Sequence, residues 1–228
     1  MVKPVTHAMI LAAGFGLRLK PLTDTIPKAL VPYNNKPMIE NVIIKLVGSG
    51  INNITVNTHY FADQIQEFIQ SKNFEIQINL SFEENILGTG GGIKNSKKYL
   101  SGSGNFIVHN ADVVSGLDLN ALARFHQGSD ALATLAVKQR ETGRPLLMDR
   151  SNNLTGRASD RDNEPNIKIA YSGICILSDR IFNLFPEDEK FDIIEFLLDA
   201  VKNNEKVLCY DIGDVFWKDL GRITDLNN

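Results

Sequence analysis

Between residues 8 and 109, short apolar runs alternate with amphipathic stretches, and this alternation restricts the fold more than any other feature of the chain. A strand is read at 8–12, ended at once by a glycine-containing turn. Residues 40–48 repeat apolar side chains at helical spacing (Val42, Ile43, Leu46, Val47), Gly50 closes that helix, and 53–57 reads as a second strand. A helix over 62–70, an alternating strand over 76–82, a helix after the glycines near residue 90 and a strand over 106–109 follow. Four strands joined in this way imply an α/β fold with a mainly parallel sheet wrapped by helices. Beyond it the pattern predicts a helix at 118–126, strands at 131–138, 167–177 and 206–211, helices at 179–185 and 191–202, and a final segment at 215–226. The polar, turn-rich stretch 139–166 is expected to form an inserted hairpin or lid in a single domain over 1–228.

Charge narrows the partners. The chain carries 24 basic and 27 acidic side chains, a net charge of -3, so the basic excess of a duplex-binding domain is missing and no nucleic-acid partner is expected. No apolar run approaches the roughly 18 residues that cross a bilayer, and the start has no small-residue cleavage site, so a cytoplasmic protein without a membrane partner is expected. Cys175 and Cys209 stand in apolar contexts without metal-ligand spacing and read as buried thiols. The first 50 residues nevertheless hold six basic side chains (Lys3, Arg18, Lys20, Lys28, Lys36, Lys45) against Asp24 and Glu40, a local +4. An anion is expected near this end, with Lys3, Lys36 and Lys45 read as a solvated face.

The stretch LAAGFGLRLKPLTDTIPKAL at 11–30 shows how that anion would be held. Small residues directly after a strand (Ala12, Ala13, Gly14, Gly16, flanked by Leu11 and Leu17) let backbone N–H groups approach a phosphate closely. Arg18 adds a planar fork and Lys28 a point charge, aimed by Pro27, so that together they can neutralise a triphosphate. GxxxxGK[ST] is absent, and the third glycine of a dinucleotide fingerprint is missing, which disfavours a P-loop NTPase and a dehydrogenase. Asp112 follows the apolar run 106–109, at the end of a central strand where open parallel sheets bind ligands. His59 and His109 are read as structural hydrogen-bonding groups, and His7 and His126 as surface residues.

The pattern LAAGxGxRLxPLTxxxPKALV over 11–31 closely resembles that of the sugar-1-phosphate nucleotidyltransferases. The match continues through KPMIE at 36–40, LGTGGGI at 87–93, Asn110-Ala111-Asp112 and WKDLG at 217–221. Leu17 stands where many relatives have threonine, and Ala111 where many have glycine. The GTGGGI form looks most like the short members acting on N-acetylmuramate 1-phosphate with UTP, or on mannose or heptose 1-phosphates with GTP. The resemblance implies a Rossmann-like, nucleotide-diphospho-sugar transferase fold and a Mg²⁺-dependent reaction: the phosphate of a sugar 1-phosphate attacks the α-phosphorus of an NTP, giving an NDP-sugar and pyrophosphate. It implies that Arg18, Lys28 and Asp112 are catalytic, that Asp112 and Asp219 hold the metal, and that amides of the glycine run, Gly90 and Gly91 among them, face the base and ribose. On the sugar side it implies Asn110, for which an Asx turn is the alternative; Ser172, Gly173 and Arg144 are further candidates there. Trp217 is read as packing beside Asp219. Two other readings stay open: a non-catalytic NDP-sugar-binding regulatory subunit, and a cytidylyltransferase for another phosphorylated alcohol. The oligomeric state is open as well.

Overall fold

A computed structural model describes residues 4–158 and 166–226. Lys3 and the end of the inserted stretch, 159–165, lie outside the described residues. In chain order the strands and α-helices are β1 His7–Leu11, β2 Pro32–Tyr33, β3 Lys36–Pro37, α1 Met38–Gly48, β4 Asn53–Thr58, α2 Ala62–Ser71, β5 Gln77–Phe82, α3 Gly88–Asn95 and α4 Lys97–Leu100. Then come β6 Asn105–Asn110, β7 Val113–Ser115, α5 Leu119–Gln127, β8 Ala133–Lys138, β9 Leu146–Met148, β10 Leu154–Arg157, β11 Ile167–Ser178, α6 Ile193–Lys202, β12 Val207–Asp211 and β13 Trp217–Asp219.

The mainly parallel sheet expected from the alternation is present. β5, β4, β1 and β6 run parallel side by side; β11 then pairs antiparallel with β6 and β8, and β12 runs parallel to β8. Strand order reverses at β1: the chain goes from β1 outward to β4 and β5, then returns to lay β6 on the other side of β1. Such a reversal opens a crevice beyond the carboxyl ends of the two strands flanking it. Here those ends are Leu11 and Asn110, which are register partners.

Both faces of the sheet are buried, which explains why the central strands read as nearly continuous apolar runs. In β1, Ala8 and Ile10 pack into one core with Ile39, Ile43 and Leu46 of α1, whereas Met9 points into the opposite core with Ile93 of α3 and Leu197 of α6. Each such fully buried aliphatic side chain contributes about 1.5–3 kcal/mol relative to exposure. Helix starts follow capping chemistry: the Asp118 carboxylate accepts from the Asn120 and Ala121 amides to open α5, and Asp192 accepts from Ile194 and Glu195 to open α6. No helix among the described residues is long and apolar enough to cross a membrane.

The inserted stretch contains a hairpin. β9 and β10 pair antiparallel and β9 pairs with the start of β11; Leu146, Met148 and Leu154 enter the same core as α6, and Arg157 is ion-paired with Glu195 of that helix. The hairpin is therefore part of the packed sheet. Two charge readings change. Lys45 is half-buried, donates to the Leu117 carbonyl at 2.7 Å and has its pKa lowered by burial, so it does not belong to a solvated face. His126 is buried rather than on the surface, bonded to Thr134 at 2.8 Å and Asn105 at 3.2 Å, with burial lowering its pKa to about 4. Cys175 and Cys209 are buried, and burial pushes both thiols up to about 12, so they are not reactive nucleophiles.

The glycine run is likewise corrected. The helix does not follow the glycines; it begins at Gly88 and contains them. The Gly90 and Gly91 amides both donate to the Phe191 carbonyl, at 3.0 and 3.3 Å. A Cβ on Gly90 would lie 2.2 Å from the Phe191 ring, and one on Gly91 would lie 2.1 Å from the Glu189 carbonyl oxygen. These residues are glycine because the 189–191 segment presses on the helix. Gly91→Ala is expected to destabilise the protein by about 1–3 kcal/mol in urea unfolding, since a backbone carbonyl cannot yield as a side chain can. Gly14→Ala, whose Cβ would meet nothing within 4 Å, should stay within about 0.5 kcal/mol of the wild type in the same assay.

Candidate active site

A cavity of about 230 Å³ opens at the reversal of strand order. One wall is the end of β1 and the loop after it, Leu11 to Gly14, with Lys28 and Ala29; the opposite walls are Asn57, Glu83, Ile86, Gly88 and Thr89, and Asn110 with Ala111 and Asp112. Leu11, Ala12, Ala13, Gly14, Lys28, Asn110 and Asp112 are thus brought together as the sequence pattern requires. Gly16, Leu17, Gly90 and Gly91 are not on these walls. Leu17 is 66% exposed, and the Gly90 and Gly91 amides are taken by Phe191, so neither can donate to a nucleotide.

Gly16 acts one step away from the cavity. At φ 65° it occupies the left-handed region, and a Cβ there would lie 2.9 Å from Lys28 Cβ and from Thr23 Cγ2. Its carbonyl accepts from the Thr23 hydroxyl at 2.9 Å and from the Leu19 amide at 2.8 Å. The turn this fixes lets the Lys28 stem pass close by, and Lys28 Nζ donates to Asp112 Oδ2.

Asn57 and Glu83, not singled out in the sequence, organise the wall facing the loop. Asn57 Oδ1 accepts the Ala12 amide at 2.7 Å, Asn57 Nδ2 donates to Glu83 Oε1 at 2.7 Å, and Glu83 Oε2 accepts the Leu87 amide at 3.0 Å. Asn57 is the penultimate residue of β4, a strand whose apolar neighbours gave no reason to single it out, and Glu83 lies just past β5. A buried carboxylate beside a glycine run was the available signal.

Asp219 reaches the site through pairing with β7. In the antiparallel ladder it stands opposite Val113, and the Leu220 amide donates to the Asp112 carbonyl at 2.8 Å, which sets the two aspartates side by side. Asp219 accepts the Gly221 amide at 2.8 Å. Arg18 is exposed and, like Asp219, lies off the cavity walls, its guanidinium against Gly221: a Cβ there would lie 2.5 Å from Arg18 Nη2. Burial, then the neighbouring charge of Asp112, raises the Asp219 pKa, opposed by Lys28, the Gly221 amide and Arg18. Two adjacent carboxylates held at such a cost are a hard-oxygen donor pair that suits Mg²⁺, the remaining positions falling to phosphate oxygens and water. Among the described residues no group of three or more His, Cys, Asp or Glu side chains is placed to hold a metal, so any ion here rests on these two carboxylates.

On the far side of Asp219, Trp217 donates its indole N–H to the Ser172 carbonyl at 2.8 Å, and Gly173 (φ 81°) packs on Asn110: a Cβ there would lie 2.9 Å from Asn110 Nδ2. Ser172 contributes its backbone here; its hydroxyl is buried without a partner among the described residues. Arg144 is exposed and, among the described residues, bonded only through its backbone amide, to Thr142. The cation at this edge is Arg140, stacked on Trp217. Of the histidines, His59 bonds the Glu83 carbonyl and His109 the Asn110 carbonyl, both at 2.8 Å; His109 is fully buried, which brings its pKa down to about 4.

Fold and site together define an α/β protein whose sheet crevice is flanked by a small-residue loop, two cations and two carboxylates. The nucleotidyl transferase family matches residues 7–148. The chain belongs to that family, and its relatives include sugar-1-phosphate nucleotidyltransferases. It is 29% identical over 227 residues to the D-glycero-alpha-D-manno-heptose 1-phosphate guanylyltransferase of Campylobacter jejuni, covering 94% of each chain. It is 28% identical over 235 residues to the UTP–glucose-1-phosphate uridylyltransferase of Synechocystis, covering 96% of this chain and 61% of that protein. The chain likewise spans 61% of the mannose-1-phosphate guanyltransferase of Schizosaccharomyces pombe, at 29% identity. HddC from Yersinia pseudotuberculosis, solved with GMP-PN, superposes with a TM-score of 0.79 at 26% identity, covering 97% of this chain and 96% of that one. The inositol-1-phosphate CTP transferase of T. maritima shares the fold, with a TM-score of 0.84 at 17% identity.

The raised Asp219 pKa has a stability consequence. A carboxyl whose pKa is higher in the folded than in the unfolded state weakens the fold as pH rises through that interval, and the whole penalty is present above the folded-state value. Asp219→Asn keeps an acceptor for the Gly221 amide and removes the charge. Without divalent cation it is expected to be more stable than wild type at pH 7 in thermal unfolding, with the difference closing as pH falls towards the ordinary carboxylate range. Adding Mg²⁺ should raise the wild-type Tm more than that of the variant.

Proposed function

We propose that the protein transfers a nucleotidyl group from an NTP to a sugar 1-phosphate, releasing pyrophosphate, with Mg²⁺ held by Asp112 and Asp219. The observation that carries this is the meeting of Lys28 and Asp112 on the cavity wall, with Asp219 set beside Asp112 by the ladder behind it and open space around Gly14 of the loop after β1; the Ala12 amide is already taken by Asn57. A phosphate monoester has a second pKa near about 6, so the attacking group is already largely dianionic at neutral pH and no protein base is required. The histidines agree with this: His109 is walled into the sheet and His59 is bonded to a backbone carbonyl. What remains is to bring two polyanions into line, which rests on charge and positioning. Lys28 and Arg18 stabilise the charge of the triphosphate and of the leaving pyrophosphate. The bound ion would supply further charge neutralisation between the carboxylates and the phosphates.

For the substrate pair we propose UTP with N-acetylmuramate 1-phosphate, from the GTGGGI form of the α3 segment. Because those glycines pack against 189–191, the motif marks a branch of the family by its packing and not by contact with a base. A second reading, GTP with a heptose or mannose 1-phosphate, is favoured by the Campylobacter relative, which matches over 94% of both chains. Pyrophosphate release across four NTPs and a panel of sugar 1-phosphates tests both. Turnover with one pair is expected, reduced at least about 100-fold in Asp112→Ala and Lys28→Ala. Absence of turnover with every pair, with NTP still bound, would instead support a regulatory NDP-sugar-binding subunit.

A further inference from the structure

Arg140 lies two residues past the end of β8 and folds back onto β13. Its guanidinium carbon is 4.5 Å from the centre of the Trp217 ring; Nη2 donates to the Tyr171 carbonyl and Nη1 to the Glu141 carbonyl, each at 3.2 Å. The indole is itself fixed by its bond to the Ser172 carbonyl. A guanidinium on an exposed side chain is thus held in one plane, with two of its five N–H donors used. Among the described residues it has no ion-pair partner, and the carboxylate whose charge reaches it is Asp219. Lys168 lines the groove next to it.

Its place relative to the reaction follows from topology. Lys28 and Arg18 approach Asp219 from the loop after β1, Arg140 from the segment after β8. In-line displacement puts the entering and leaving groups on opposite sides of the phosphorus. With pyrophosphate leaving towards Lys28 and Arg18, the entering sugar lies towards Trp217 and Arg140. A fixed, permanently charged fork matches the two oxygens of a carboxylate, whereas a neutral sugar hydroxyl calls for nothing of the kind.

We propose that Arg140 is a specificity-determining residue that selects an acceptor sugar bearing its own carboxylate, gripping that group with the edge of the guanidinium left free by the two backbone carbonyls. This rests on the transferase reading above. The oxyanion it takes has two possible sources, a sugar carboxylate or the sugar phosphate, and the proposal is for the carboxylate.

The test compares wild type, Arg140→Gln and Arg140→Lys with N-acetylmuramate 1-phosphate and with N-acetylglucosamine 1-phosphate, which lacks the lactyl carboxylate. Arg140→Gln should lose about 10- to 100-fold in kcat/KM for the first acceptor, mainly through KM, and less than about 3-fold for the second, with the NTP KM unchanged. Arg140→Lys should recover part of the loss. An equal loss on both acceptors would overturn the proposal in favour of phosphate binding. No loss on either, or wild-type turnover confined to neutral sugars, would overturn it while leaving the transferase reading intact. Trp217 is the single tryptophan of the chain, so its fluorescence reports binding without turnover. A response to N-acetylmuramate but not to N-acetylglucosamine, abolished in Arg140→Gln, would uphold the proposal even if no pyrophosphate were released.

Discussion

One side chain ties the two halves of the cavity together. Asn57, one residue before the end of β4, takes the Ala12 amide on its carbonyl oxygen and gives its amide N–H to Glu83, which in turn holds the Leu87 amide. The loop after β1 and the segment that enters α3 are therefore positioned by the same buried amide. Asn57 is 3% exposed and Glu83 1%, so neither can exchange its partner for water, and losing either would leave the other an unsatisfied polar group in the core. The register Leu11 with Asn57 and Leu11 with Asn110 carries that constraint across three parallel strands, so the crevice is an outcome of sheet pairing as much as of loop sequence.

What the sequence made legible follows the same division. The parallel strands were readable because both of their faces are buried, which writes them as runs of apolar residues. The loop after β1 was readable because a charge excess and a string of small residues coincide there. Features that depend on contacts between distant segments were not. The glycines of α3 look like a flexible loop until Phe191 and Glu189 are seen pressing on them, and a hundred residues separate the two. Arg144 and Arg140 are four apart in one polar stretch, and only the approach of β13 singles out Arg140. Asp219 came from family resemblance alone, because its place beside Asp112 depends on a three-residue ladder with no pattern of its own. The hairpin in the inserted stretch was visible from its turn residues; its union with β11 and α6 was not, since both partners come later in the chain.

The charges at the phosphate end are balanced against one another before any substrate arrives. Lys28 sits on Asp112, and Asp219 keeps a raised pKa from burial and from that neighbour. A triphosphate bound as proposed would compete with Asp112 for Lys28. If Lys28 moves to phosphate, two adjacent carboxylates are left facing each other in a partly buried setting, where like charges interact strongly. If a divalent cation takes the carboxylates alone, Lys28 loses its partner and is left as an uncompensated cation beside another. Each addition by itself unbalances the site, whereas the two together restore a partner to every charge. Dependence of nucleotide affinity on the proposed ion would follow from this exchange of partners between fixed groups.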